Sequence, residues 1–371
     1  MQTIYIWVVI DIILFNLMVV PLVLNTKIRW NRILINTNQD NSISTSFWFF
    51  IILIFCVFDQ TSGDYFHYRD DILEMQKYHE KHYGMEWIYN QLIMLFDYSY
   101  IMFRIFVWGG ALIFYRKILT ELKLHNVISY SLMALVLLRY FSYGRYALAV
   151  SMFLYGFVLL FNESMARKKI GILLVVFSVL FHKTIIVLFP LLFLINVPFN
   201  IFTVSSCVFA VPLIASIINN NIADYMTLLD PELNRVEIRY LNAEREYDNS
   251  IREIFMFYSY LLPLVFFLYK FYKLKKDNTV PKVYSYMFKL VLLIFYVVII
   301  LYFVDFGSAS IYNRIRIISF YPICILVTYY ISRFSEQGLS RSCLIMLLLL
   351  YLSDNVYYAY LLYLKTIGLA V

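Results

Sequence analysis

Long apolar runs follow one another along most of the chain, separated by shorter polar stretches. A helix that crosses a bilayer needs about 20 mostly apolar residues. The pattern therefore predicts an all-α, polytopic integral membrane protein with about 11–12 transmembrane helices. The stretch 170–218 leaves the count open, because His182 and Lys183 interrupt it. The predicted spans lie near residues 4–24, 43–58, 98–115, 126–144, 146–161, 170–182, 184–195, 201–218, 254–270, 284–304, 317–332 and 342–361.

The overall composition excludes several classes of protein. Of the 371 residues, 62% are apolar and only 15% are charged, and the mean hydropathy is +0.72. An average soluble domain has about a quarter of its residues charged, and a single apolar core stops growing at roughly 250–300 residues. These values exclude a soluble enzyme, a nucleic-acid-binding domain and a disordered chain. We expect one membrane domain over residues 1–371, without internal repeats.

The charge distribution predicts the orientation. Lys and Arg concentrate in short loops on one side of the predicted spans, and they account for most of the net charge of +7. The other side carries two long acid-rich loops, 59–97 and 219–253. Because short basic loops stay in the cytoplasm, we expect the N-terminus and both long loops to lie outside.

One part of the first long loop has helical spacing. Within 85–96 the apolar residues are Met85, Ile88, Leu92, Leu95 and Phe96. This spacing predicts a helix that lies in the membrane interface or packs against the bundle.

Several cations lie inside predicted spans, namely Arg104, Arg139 and Lys289. Such a group either extends towards the headgroups or faces a polar cavity or partner. Snorkelling explains Arg104 and Lys289 well. Arg139 and Arg145 lie at the outer end of one predicted helix hairpin, where they would form an anion-binding pair. Snorkelling remains the alternative for Arg139.

Four more arginines are predicted to lie on the external side. Arg235 and Arg239 are four residues apart in the second long loop, so they share a face if that segment is helical. Arg314 and Arg316 enter a span from its external end, where the positive-inside rule does not place cations. Guanidinium groups suit phosphate and pyrophosphate oxygens, so these positions are candidate ligand contacts.

The segment His182-Lys183-Thr184 interrupts an otherwise apolar run. It is either a polar turn at a helix end or a place where His182 faces a cavity as a base or substrate ligand. The four cysteines share no spacing, and the sequence 79–82 (HEKH) lacks the spacing of the zinc motif H-E-x-x-H. We therefore expect no disulfide, no metal site and no cofactor.

The ordered set of motifs resembles the Wzy-type O-antigen and capsule polymerases, and in particular their EpsG-like branch. Tyr146 departs from the family pattern, which often has Gln there, and this weakens any role for the side chain beside Arg145. The motifs that carry the resemblance are GDYFHY at 63–68, GMEWIY at 84–89, RYALA at 145–149, RKK at 167–169, FHKT at 181–184 and NRIRIISFY at 313–321.

The resemblance implies a glycosyltransferase at the outer face of the bacterial inner membrane. Such an enzyme transfers a glycan from undecaprenyl pyrophosphate to another lipid-linked repeat unit and releases undecaprenyl pyrophosphate. The partners would be the lipid-linked donor and acceptor, the membrane lipid and a chain-length regulator protein, with no nucleic acid. The acceptor hydroxyl needs a general base, for which His182 is the first candidate and Asp64 or Glu86 the reserve. The pyrophosphate needs cations, and the candidates are Arg139, Arg145, Arg235, Arg239, Arg314 and Arg316.

Three alternatives remain at this stage. A polyprenyl-phosphate-sugar glycosyltransferase would usually carry catalytic carboxylates in its first external loop, whereas here the first long loop follows the second predicted span. A lipid-linked oligosaccharide flippase or other transporter would have two similar halves, and the sequence shows no repeat. A membrane acyltransferase would need a His and carboxylate set within a span, for which His182 alone gives little support.

Overall fold

The structure is a computed structural model that describes residues 42–58, 63–78, 87–124, 144–196, 280–303, 315, 318–326 and 328–329. Over these residues the secondary structure is helical, with turns and no strand, which confirms an all-α fold for this part of the chain. None of the helices among the described residues combines the length and the apolar content that crossing a membrane demands. The predicted spans at 4–24, 201–218, 254–270 and 342–361 lie outside the described residues, as does the loop 219–253. Of the predicted span 126–144, only Gly144 is described.

The chain divides into two compact units, 1–185 with 324–371 and 186–323. The boundary falls within a short 3₁₀ helix, Lys183–Val187. The first unit holds α1 Ser42–Phe58, α2 Gly63–Tyr78, α3 Trp87–Leu95, α4 Tyr100–Glu121, α5 Gly144–Leu160 and α6 Met165–Phe181. The second holds α7 Leu188–Leu194 and α8 Lys282–Phe303.

The predicted spans agree with several of these helices. The spans 43–58, 146–161 and 284–304 match α1, α5 and α8 to within two residues. Two other helices are longer than predicted: α4 continues to Glu121 and α6 begins at Met165, so both include basic residues that lie outside the predicted spans 98–115 and 170–182. The run 184–195 is not one helix, because it combines the 3₁₀ turn with the short α7.

The segment 59–97 is more structured than an open loop. It contains α2 and α3, and α3 packs against α4 and α6. Its predicted apolar face is wrong, since Leu95 is 76% exposed whereas Tyr89, Asn90 and Ile93 are buried. Helix α3 therefore turns a tyrosine-containing face towards the bundle. Its contacts with α4 and α6 agree with packing against the bundle, one of the two positions that the sequence left open for this helix.

Among the described helices, α5 and α6 form the most closely packed pair. Their backbones cross at Gly156 and Gly171, where a Cβ atom on either glycine would lie 2.7 Å from the carbonyl oxygen of the other. Small residues allow helices to approach to this distance. The other side of α5 packs on α4, where Gly110 faces Leu148 and Gly144 faces the indole of Trp108.

Two helices of the first unit end with the same hydrogen-bond pattern. After α4, the N–H of Leu124 donates to the carbonyl of Leu119 (2.8 Å) and the N–H of Lys123 to that of Thr120 (3.1 Å). Lys123 has φ 55°, in the left-handed region that usually favours glycine. The turn after α3 repeats the pattern with Asp97 at φ 52°. Both turns satisfy terminal carbonyls of their helices.

The two apparent intramembrane cations that the structure describes, Arg104 and Lys289, hydrogen bond to helix ends, which agrees with the alternative that such a group faces a partner. Arg104 is only 5% exposed and donates to the carbonyl oxygen of Cys56, in the last turn of α1. In the second unit, Lys289 donates to the carbonyl oxygen of Ile195 at 2.9 Å, directly after α7. Terminal carbonyls lack partners within their own helix, and the negative end of the helix dipole attracts a cation there.

Candidate functional site

Arg145 is the second residue of α5, and Gly144 allows this helix to begin against α4. A Cβ atom at position 144 would lie 3.1 Å from the indole ring of Trp108, which leaves little room for a larger residue. The first turn of a helix has N–H groups without intrahelical partners and a partial positive charge. The guanidinium of Arg145 and the N-terminal end of α5 therefore add to each other in attracting an anion.

Tyr68, in the middle of α2, contacts Arg145 in two ways. An Nη2 hydrogen of Arg145 is donated to the phenol oxygen of Tyr68 at 2.6 Å. The guanidinium carbon also lies 4.5 Å from the centroid of the same ring, within the range of a cation–π interaction. Tyr68 and Arg145 are 77 residues apart in sequence, so this contact ties α2 to the beginning of α5.

Tyr89, in α3, supports Arg145 from a second direction. Its ring centroid lies 5.2 Å from the guanidinium carbon, and its hydroxyl donates to the main-chain carbonyl of Arg145 at 3.2 Å. The ring is fully buried. Phe103 of α4 and Phe181 of α6 hold it with edge contacts at 5.6 and 5.8 Å between centroids. Four helices thus fix the position of this tyrosine.

His182 lies at the C-terminal end of α6, next to the same cluster. Its ring meets Tyr146 edge to face at 4.8 Å between centroids, and both side chains are buried. The main-chain N–H of Thr184 donates to His182 Nδ1 at 3.3 Å. A nitrogen that accepts a hydrogen bond carries no proton, so in the neutral ring the proton is on Nε2. His182 is thereby set up as a donor through Nε2.

The described side chains around Arg145 suit the binding of an oxyanion. The Arg145 guanidinium, the phenols of Tyr68 and Tyr146 and the His182 imidazole are capable of donating hydrogen bonds, whereas the hydroxyl of Tyr89 already donates to the main-chain carbonyl of Arg145. A phenol O–H carries no formal charge, unlike a carboxylate, so its contacts orient the guanidinium without cancelling the charge. Among the described residues, no three His, Cys, Asp or Glu side chains are close enough together to hold a metal ion.

The structure brings together two of the site residues predicted from the sequence. Arg145 and His182 both border the cluster formed by Tyr89, Phe181 and Tyr146. The hydrogen bond at Nδ1 disfavours the predicted role of His182 as general base, because the nitrogen that would take the proton is already an acceptor. His182 is also the C-cap of α6, in an extended conformation, so the predicted polar turn at a helix end is observed.

The remaining predicted site residues are not described in the same detail. The backbone of Asp64 lies in α2, one turn before Tyr68, and its side chain lies outside the described residues. Five arginines and one acid lie wholly outside the described residues: Arg139, Arg235, Arg239, Arg314, Arg316 and Glu86.

Sequence reasoning gave no role to Tyr68 or Tyr89. Both stand in the motif stretches quoted for the first long loop, each as the last aromatic residue of its stretch. Because tyrosine is abundant in this chain, with 34 copies, no single tyrosine stood out. The signal that would have found them is their position in two separate stretches that both resemble family motifs.

Comparison with known proteins gives one match. Neither a search of curated proteins nor a search of solved structures returns a match to this chain. The model of the EpsG family matches residues 41–366, a range that contains all the described helices and all six motif stretches. Since this match covers most of the sequence, the chain belongs to the EpsG family.

Proposed function

We propose that this chain is a polysaccharide polymerase of the Wzy type. It would join oligosaccharide repeat units carried on undecaprenyl pyrophosphate, at the outer face of the bacterial inner membrane, and release undecaprenyl pyrophosphate. The EpsG family is a membrane family, and membership suggests a polysaccharide-polymerase-like role. The reaction, the carrier lipid and the side of the membrane are our inference.

The observation that carries the proposal is the half-buried Arg145, held by two tyrosines at the beginning of α5. Glycosyl transfer from a lipid pyrophosphate leaves a diphosphate with growing negative charge. This leaving group is a weak base, so it needs cations and hydrogen-bond donors where the charge develops. A guanidinium fork fits two phosphate oxygens at once, and partial burial strengthens the interaction by excluding water.

The other side chains have distinct roles in this proposal. His182 donates a hydrogen bond through Nε2 to a substrate oxygen. The proton of the acceptor hydroxyl goes to a carboxylate, for which Asp64 and Glu86 are the candidates. Arg139, Arg235, Arg239, Arg314 and Arg316 remain proposed pyrophosphate or substrate ligands.

The decisive test is complementation of a deletion strain, followed by separation of its glycan by length. Arg145→Ala should abolish long polymer while single lipid-linked repeat units persist. Removal of one well-placed donor to a developing charge costs about 10²–10³ in rate. Arg145→Lys should restore only part of the polymer, because lysine keeps the charge but not the fork.

Arg69→Ala is the matched control. Arg69 lies on α2 next to Tyr68, has a side chain that is 42% exposed, and pairs with its neighbour Asp70 at 3.0 Å. Its removal should leave the polymer unchanged. Polymer of normal length and amount from Arg145→Ala, at wild-type protein level, would refute the proposed role of this arginine. Loss of all glycan in the deletion strain, single units included, would place the chain earlier in the process and contradict the polymerase.

A further inference from the structure

We infer that Tyr68 and Tyr89 are positioning residues that hold the Arg145 guanidinium ready for its anion; this inference rests on the proposed function. The motif resemblance gives no role to either tyrosine. Both belong to the segment 59–97, which the sequence presents as a loop and the structure shows as two helices. The role of this segment is then to orient a cation that lies on another helix.

The need for positioning follows from the arginine side chain itself. Arginine has four rotatable bonds and loses rotamer entropy when it is fixed. If this loss occurs when the pyrophosphate binds, it weakens binding or slows the reaction. If the side chain is already ordered, the loss is part of folding. An ordered guanidinium therefore makes the site more effective without any additional contact to the substrate.

The contacts of Tyr68 fix the orientation of the guanidinium plane and the position of one of its edges. The ring face lies 4.5 Å from the guanidinium carbon and limits its tilt, while the 2.6 Å hydrogen bond to the phenol oxygen fixes one edge. A carboxylate in the place of Tyr68 would hold the arginine as firmly, but it would neutralise the charge that an anion needs. Tyrosine supplies the geometry and leaves the charge available.

Tyr89 fixes the main chain of Arg145. Its hydroxyl donates to the main-chain carbonyl of Arg145, and its buried ring lies 5.2 Å from the guanidinium carbon. Because Phe103 and Phe181 contact this ring, its position depends on α4 and α6 as well as on α3. Tyr89 thus sets the place of the backbone from which Arg145 extends, and Tyr68 sets the direction of the side chain.

Graded substitutions separate the ring from the hydroxyl. In the complemented deletion strain, polymer yield per unit of membrane protein should fall about three- to tenfold for Tyr68→Phe, which keeps the ring face but loses the hydrogen bond. For Tyr68→Leu, which loses both contacts, the polymer yield should fall about 30-fold or more. Tyr78→Leu is the matched control, because Tyr78 ends the same helix and is 60% exposed. It should keep its full yield.

A double-mutant cycle between Tyr68→Phe and Arg145→Lys tests whether the tyrosine acts through the arginine. If it does, Tyr68→Phe should cost less than twofold in the lysine background, because lysine has no guanidinium for the phenol to orient. Equal losses in the two backgrounds would show independent action and overturn the inference. If Tyr68→Leu reaches the membrane poorly, the comparison rests on Tyr68→Phe, with protein level and melting temperature measured for each variant.

The outcomes distinguish this inference from the function on which it rests. If Arg145→Ala loses the polymer while both Tyr68 variants keep it, the positioning role is wrong and the polymerase proposal stands. If the deletion strain itself keeps its long polymer, the proposed function is wrong. A moderate loss of polymer for Tyr68→Phe, a larger loss for Tyr68→Leu and a non-additive double-mutant cycle would support both the positioning role and the polymerase function.

Discussion

The crossing of α5 and α6 at Gly156 and Gly171 allows a sharp prediction about stability. Each glycine presents its backbone to the other helix, and a Cβ atom on Gly156 would lie 2.7 Å from the carbonyl oxygen of Gly171. Ordinary contacts of a Cβ atom begin at 3.4 Å. Gly156→Ala should therefore force the two helices apart by about 0.7 Å, since the atom it meets is main chain and cannot rotate away.

The expected cost follows from two opposing terms. Adding a methyl group to a close-packed contact costs typically 1–3 kcal/mol, whereas replacing glycine by alanine within a helix gains about 1 kcal/mol. The net effect should be a loss of up to about 2 kcal/mol for Gly156→Ala. At roughly 2–4 °C per kcal/mol, the melting temperature should fall by up to about 8 °C. Gly171→Ala should behave alike, because the contact is reciprocal.

The assay is thermal unfolding of the purified full-length chain in detergent, followed by gel filtration or intrinsic fluorescence. Gly109→Ala is the matched control, because a Cβ atom there would meet, among the described residues, only the Cδ1 atom of Leu53, at 3.9 Å. This control should be as stable as the wild type or slightly more stable. Equal melting temperatures for Gly156→Ala and Gly109→Ala would refute the close approach of α5 and α6.

Three further predictions concern single contacts. His182→Gln, which can place an amide donor near the position of Nε2, should keep a measurable fraction of polymer, whereas His182→Ala should lose it; glycan separation by length is the readout. Arg104→Met should lower the free energy of unfolding by about 2–3 kcal/mol, because the carbonyl of Cys56 loses a charged hydrogen bond, as measured by denaturant unfolding in detergent. Lys123→Gly should raise the melting temperature slightly, because glycine removes a left-handed backbone cost of about 1 kcal/mol.

Each of these has an outcome that contradicts it. Equal loss in His182→Gln and His182→Ala would favour a general base over a donor. Arg104→Met with unchanged stability would mean that water or another group replaces the guanidinium at the end of α1. A lower melting temperature for Lys123→Gly would show that the lysine side chain contributes more than its backbone strain costs. Lys117→Gly, within α4, is the matched control and should destabilise by about 1 kcal/mol.

The helical fold followed from the sequence wherever an apolar run coincided with a helix, as for α1, α5 and α8. Hydropathy finds such runs because each is bounded by polar residues. It failed at the beginning of α6, where basic residues continue the helix, since charge changes hydropathy without breaking the backbone hydrogen bonds. It also assigned the wrong apolar face to α3, because the buried position of Tyr89 depends on partners in three other helices.

The sequence likewise indicated some residues of the candidate site and missed others. Arg145 stood out because a cation at the end of an apolar run is conspicuous, and His182 because it interrupts one. The tyrosines that hold the arginine are ordinary residues of a tyrosine-rich chain, and only the packing of α2 and α3 distinguishes them. The nitrogen of His182 that carries the proton depends on the N–H of Thr184, which no sequence pattern specifies.

The bonds from Arg104 to the end of α1 and from Lys289 to the end of α7 connect positions 48 and 94 residues apart. In each pair, one charged side chain is matched to the place where a distant helix stops. Lengthening or shortening either helix by a residue would move its terminal oxygen around the axis by about 100° and out of reach. Insertions near Phe58 or Asn196 should therefore be tolerated only with a compensating shift of the cation. Among related chains, the length of each helix should accordingly covary with the position of its cation.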